Sequence, residues 1–181
     1  MDRGINKVPF GYEERLDTRT GKGTLVFYDT FQDISDRQLE RAASLATSRL
    51  FTKLVLYPLH EETARRIWKR PIEPYYKREQ YLFDWRQERE EREDSGNITV
   101  ENWEGKRKKY TPIEAALRHL MDVYTQPIFL YVSPAMANAF ASFHSFEEWI
   151  GKIRLIISEP PPDAHPKLTK HRHRWEVEEN S

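Results

Sequence analysis

Leu25-Val-Phe-Tyr-Asp-Thr-Phe-Gln-Asp-Ile-Ser-Asp-Arg-Gln-Leu39 passes from an apolar run into a helix start with only a short polar turn between them. An unbroken apolar run reads as a strand covered on both faces, because a strand with one wet face would alternate. Ser35 followed by Gln38 three residues on is a capping box: the hydroxyl takes a backbone N–H of the first turn and the amide reaches back. Beyond it, Leu39, Ala42, Ala43, Ala46 and Leu50 recur at helical spacing, which predicts a helix over 36–51 with one apolar stripe.

The same grammar repeats along the chain. Lys53-Leu-Val-Leu-Tyr57 is a second buried-type strand, stopped by Pro58. Residues 61–69 suit a helix that Pro71 and Pro74 end. Residues 75–93 read as a charged helix with Tyr81, Leu82 and Trp85 as its apolar stripe, and the Arg/Glu-rich part from 86 to 94 reads as a solvated face. Residues 97–109 form a polar connection with a short strand at 98–100. Thr111-Pro-Ile-Glu114 combines a capping Thr with Pro at the first helical position, predicting a helix to about residue 124. Strands are predicted at 127–132 and 152–157, with a helical or loop-like segment at 136–143 and a short helix at 145–151 between them, and an edge strand at 175–177. A hairpin is expected over 10–29, around the turn at 18–22.

Strands alternating with helices argue for α/β architecture: a three-layer α/β/α fold with a mainly parallel sheet and right-handed crossovers. The expected organisation is an N-terminal extension or hairpin arm over 1–22, one α/β domain over 23–160 and a polar tail over 161–181. Lys and Arg total 29 and so do Asp and Glu, so no global field draws the chain to nucleic acid or an anionic membrane. The absence of cysteine removes disulfides, thiolate metal sites and cysteine nucleophiles, and fits a cytoplasmic location. No apolar run approaches the length of about 18 residues needed to span a bilayer, and the first residues show no secretion signal, so no membrane association is expected.

At this point the order of pieces resembles the nicotinate-mononucleotide adenylyltransferase branch of the nucleotidyltransferase superfamily, over roughly residues 23–160. That family opens with a strand, then Gly-Gly-x-Phe-Asp-Pro-x-His-x-Gly-His, then a helix. Aligned without a gap, Tyr28 and Asp29 stand at the two glycines, Thr30, Phe31 and Ile34 fit, and Gln32 and Asp33 replace Asp-Pro. Ser35 and Gln38 hold the two histidine positions, and Arg37 replaces the last glycine. Further on, Tyr110-Thr111 precedes a helix as the family's Tyr-Thr does. Ser133-Pro134-Ala135 stands where Gly-Ala-Asp would follow a strand, and Phe143 holds the aromatic position. Lys77 near Pro74 matches the Pro-His-Lys region, with Tyr76 in place of the histidine. The family's C-terminal Ile-Ser-Ser/Thr-x-x-Ile-Arg segment is absent; Lys167-Leu-Thr-Lys-His-Arg-His-Arg174 occupies that region.

The resemblance implies a Rossmann-like nucleotidyltransferase fold and, where the chemistry survives, adenylyl transfer from ATP with Mg²⁺ and release of pyrophosphate. Such transfer needs glycine for close backbone approach and positive donors for developing charge. A ring at Tyr28 and a carboxylate at Asp29 oppose a phosphate there. The expectation is therefore a degenerate, non-catalytic member that binds a nucleotide or a protein partner. No catalytic or metal-binding residue is assigned. Nucleotide contacts are expected from Thr30, Phe31, Ser35, Arg37, Gln38, Lys77 and Thr111. An active adenylyltransferase, with ATP and Mg²⁺, is the alternative. A third reading is an RNA-associated protein using the basic runs 106–109 and 167–174. His60, just past the second strand, is either a site residue or a helix start. His171 and His173 suit a solvated tail better than a metal site.

Overall fold

The computed structural model describes residues 23–92 and 96–178. The hairpin arm expected over 10–22 lies outside the described residues. Six strands form one sheet in the order β3-β2-β1-β4-β5-β6, and every neighbouring pair is parallel. They are β1 (Thr24–Asp29), β2 (Lys53–Pro58), β3 (Ile98–Val100), β4 (Ile128–Val132), β5 (Arg154–Ile157) and β6 (Trp175–Val177). The longer helices are α1 (Asp36–Ser48), α3 (Tyr75–Glu91), α5 (Ile113–Val123) and α6 (Pro134–Ser142). The short ones are α2 (Glu61–Ala64), α4 (Trp103–Arg107), α7 (Phe146–Ile150) and α8 (Pro166–Lys170).

Alternation along each strand divides the sheet between two cores. Leu25, Phe27, Leu54, Leu56 and Ile156 pack under α1 and α3, against Leu39, Ala42, Ala46, Leu82 and Trp85. Val26, Tyr28, Val55, Tyr57, Leu130 and Ile157 pack on the other face, against Leu117 and Leu120 of α5, Phe140 of α6 and Trp149 of α7. Both faces of β1, β2 and β4 are thus covered, which is why those strands read as continuous apolar runs. The result is a three-layer α/β Rossmann-like fold. Among the described residues no helix is long and apolar enough to cross a membrane.

Several local expectations are refined. The capping box at Ser35 and Gln38 forms in full. The helix it starts ends at Ser48 rather than 51, because the chain reverses through Leu50 at φ 61 to bring Phe51 back against Phe129. Thr111 does not cap α5. Pro112 is the cap residue, without a side-chain bond, and Thr111 is buried one step earlier. Arg89, expected on a solvated face, is buried over the Trp85 ring and paired with Glu40. Beyond residue 160, Leu168 and Trp175 enter the core and β6 extends the sheet.

Candidate functional site at the switch between β1 and β4

Strand order reverses between β1 and β4: the chain moves outward through β2 and β3, then returns to β1's other side. In open parallel sheets the loops diverge at such a point and leave a crevice beyond the strands' carboxyl ends. A cleft of about 630 Å³ lies there, between the loop after β1, the segment before α3 and the start of α6. A smaller recess of about 150 Å³ shares Asp29, Gln38 and Ser133 with it and reaches Arg41 and Glu159.

Asp29, the last residue of β1, lines both spaces. Its Oδ1 accepts from the Phe31 amide at 2.8 Å and from the Thr30 hydroxyl at 3.3 Å. Thr30 Oγ1 in turn accepts from the Gln32 amide at 3.1 Å. These bonds hold a tight loop in which Phe31 and Asp33 both adopt positive φ, 60 and 59. A bulky residue in that region is strained, by about 1–3 kcal/mol. The strain is sustained because the Phe31 ring is buried edge-on against Phe27, 4.9 Å between centroids. Burial pushes the Asp29 carboxyl up from its ordinary value of 3.8, against the opposing bonds from the loop. The Thr30 backbone N–H also bonds this carboxylate, which lines both spaces as an acceptor.

Two helices begin at this edge. Ser35 caps α1 through the Gln38 amide, while Gln38 Oε1 takes the Ser35 backbone N–H at 3.0 Å. That leaves the Gln38 side-chain NH2, on the cleft wall, without a partner among the described residues. Ser133 caps α6 by accepting from the Met136 amide at 3.1 Å. The far wall comes from Trp68, Arg70, Pro71 and Ile72, a stretch with no regular structure. The Glu73 amide donates to Gln32 Oε1 at 2.9 Å, tying that wall to the β1 loop. Arg78, buried in α3, completes the frame. Its guanidinium donates to the carbonyls of Thr30 and Leu59, both at 2.7 Å, and of Glu73 at 2.9 Å, and pairs with Glu61 at 3.1 Å. The indole N–H of Trp68 is buried with no partner among the described residues.

Of the residues expected to contact a nucleotide, Thr30 and Gln38 line the cleft. Phe31 lies in the core and Ser35 serves as the helix cap. Arg37 and Lys77 are exposed and do not line it. Thr111 is fully buried elsewhere. Its amide donates to Thr63 Oγ1 at 2.9 Å and its hydroxyl accepts from Arg107 Nε at 3.0 Å. Tyr28 does not obstruct the cleft: alternation turns its ring into the core beneath the sheet, stacked on Tyr57 at 5.2 Å. Only Asp29, one residue on, faces the edge. His60 is a helix start, with Nδ1 accepting from the Glu62 amide at 3.1 Å. His171 Nε2 lies 2.9 Å from Glu147 Oε2. Among the described residues no group of three or more His, Asp or Glu is placed to hold a metal ion.

Sequence reasoning missed Arg70, which carries no local motif. It also missed Glu104, a fully buried carboxylate in α4. Glu104 accepts from the Tyr57 hydroxyl at 2.7 Å and the His60 amide at 2.9 Å, fixing the turn after β2. Burial raises its pKa, and these same bonds oppose the rise. The chain matches no protein-family model and no curated protein.

Proposed function

We propose that this protein binds a nucleoside or nucleoside monophosphate in the switch-point cleft and does not transfer an adenylyl group. The observation that carries this reading is the Asp29 carboxylate at the end of β1, held by its own loop and lining both the cleft and the adjoining recess. A carboxylate there accepts from hydroxyl or amino donors such as those of a ribose or a base. Gln38 and Arg70 add donors, and Trp68 adds an aromatic wall, so a few convergent polar groups line a cleft of ligand size.

The charge of the lining argues against a triphosphate. Asp29 and Asp33 face a single cation, Arg70. Arg41, in the adjoining recess, is already engaged by Glu178 at 3.0 Å and by the Ser158 carbonyl at 2.9 Å. Phosphoryl and adenylyl transfer rely on donors and cations arranged around developing negative charge. This residue set does not fit ATP with Mg²⁺, and no step is assigned to them.

A second reading, an active nucleotidyltransferase, draws on one observation. A carboxyl with a raised pKa beside a strained loop in a cleft is the environment of many general bases. Calorimetric titration separates the two readings. Adenosine monophosphate should bind with measurable heat, more tightly than ATP with Mg²⁺, and Asp29→Asn should weaken it about tenfold or more. Incubation with ATP, Mg²⁺ and nicotinate mononucleotide should release no pyrophosphate. Absence of heat with nucleosides and nucleotides alike would remove the binding proposal; pyrophosphate above background would establish the enzyme.

A further inference from the structure

Beside the cleft, two stretches far apart in sequence pack together and carry six exposed cations. Arg66, Lys69 and Arg70 follow α2, while Lys106 lies in α4 and Lys108 and Lys109 just after it. None of the six is ion-paired among the described residues. Their neighbours Arg65 and Arg107 are engaged, Arg65 by Glu62 and Arg107 by Thr111 and the Tyr110 carbonyl. Two contacts hold the stretches side by side. The Thr111 amide donates to Thr63 Oγ1 at 2.9 Å, and the Arg66 guanidinium lies 3.9 Å from the centre of the Tyr110 ring. The chain as a whole has zero formal charge, so this face is a local excess. Lys108 sits at φ 59, at a helix C-terminus where glycine is the unstrained choice.

The basic run 167–174 does not add to it. Lys170 and His171 engage Glu147, Arg172 donates to the Trp175 carbonyl, and Arg174 donates to the carbonyls of Ile150 and Ile153. Packing brings the cations of 66–70 and 106–109 together, a grouping invisible along the sequence.

We infer that this face binds the backbone of a single-stranded polynucleotide, with a base stacked at the Arg66–Tyr110 pair. Phosphodiesters suit dispersed ammonium and guanidinium groups, and an unpaired base offers a flat face to tyrosine or arginine. An anionic bilayer is the poorer match, because membrane-surface binding adds apolar side chains that enter the lipid. The exposed large apolar residues of the described fold, Leu50, Tyr76, Tyr81 and Val123, all lie outside these two stretches. Arg70 also lines the cleft, and the inference stands on the other five cations whatever occupies it.

The test is fluorescence anisotropy of labelled oligouridylate and oligothymidylate with the full chain, across a salt series. If about four phosphates are neutralised, affinity should fall roughly fiftyfold between about 50 and 200 mM salt. Lys108→Glu/Lys109→Glu and Arg66→Glu/Lys69→Glu should each lose at least about tenfold at the lower salt with unchanged circular dichroism. Lys69→Glu alone, which spares the Tyr110 contact, should lose a smaller amount in the same direction. The relative strength on the two oligomers tells RNA from DNA. No binding at low salt, a flat salt dependence, or loss from only one of the two stretches would overturn the inference. Tighter binding to phosphatidylserine vesicles than to either oligomer would do so too.

Discussion

Replacing Arg78 by methionine keeps most of the side chain's volume and removes its guanidinium from the centre of the frame around the cleft. Three carbonyls and the Glu61 carboxylate then lose a charged donor, at distances now between 2.7 and 3.1 Å. Hydrogen bonds to a charged group contribute about 1.5–3 kcal/mol each, so the bonds alone would sum to roughly 6–12 kcal/mol. Burying the guanidinium offsets much of that: burial lowers its pKa, and Glu61 only partly opposes the shift. Breaking buried charge networks costs about 3–5 kcal/mol in practice. For a chain of 181 residues that corresponds to a fall in midpoint temperature of about 6–20 °C. Arg78→Lys should fall between, since one ammonium cannot span all the acceptors. Thermal and urea unfolding followed by circular dichroism measure both. If Arg78→Met stays within about 1 kcal/mol of the parent, the guanidinium does not hold the two loops and the wall together, and the reasoning fails.

Asp29→Asn keeps an acceptor for the Phe31 amide but cannot ionise. Because the folded state holds the Asp29 proton more tightly than the unfolded chain does, its stabilising contribution is complete below 3.8 and is lost as pH rises through the higher folded value. The variant should therefore melt higher than the parent at neutral pH, with the gap closing in acid; melting curves across pH check this. Glu104→Ala strands the Tyr57 hydroxyl and the His60 amide in the core and should cost about 2–5 kcal/mol in urea unfolding. Gly23 has φ 130, and a Cβ there would lie 2.3 Å from the Pro127 carbonyl oxygen. Gly23→Ala should therefore lose about 2–4 kcal/mol, read from the same titration.

The layers of this fold are legible in the sequence because β1, β2 and β4 are buried on both faces and leave unbroken apolar runs. The capping box is legible because both partners lie within one helical turn. Arg78 and Arg89 are not: Arg78 sits in a charged helix and Arg89 in the part of it that reads as solvated, and only the distant carbonyls of Thr30 and Leu59, or the side chain of Glu40, show that they are buried. The same applies to the cleft. Asp29 can be located at the end of a strand, but whether it or Tyr28 faces the edge depends on which side of the sheet each residue takes. Trp68 and Arg70 reach the site through an irregular segment whose position rests on single long-range bonds, Gln32 to Glu73 above all. Charge totals also conceal the cationic face, since a balanced sum says nothing of where unpaired lysines gather.

Amide chemical-shift mapping during titration with adenosine monophosphate tests the ligand reading most directly. Shifts should concentrate on residues 29–38, 68–72 and 133–135, with the Trp68 indole resonance among the most affected, and should need about tenfold more nucleotide or beyond in Asp29→Asn. Shifts confined to other parts of the fold, or none at saturating nucleotide, would contradict the assignment of the β1–β4 cleft as the binding site.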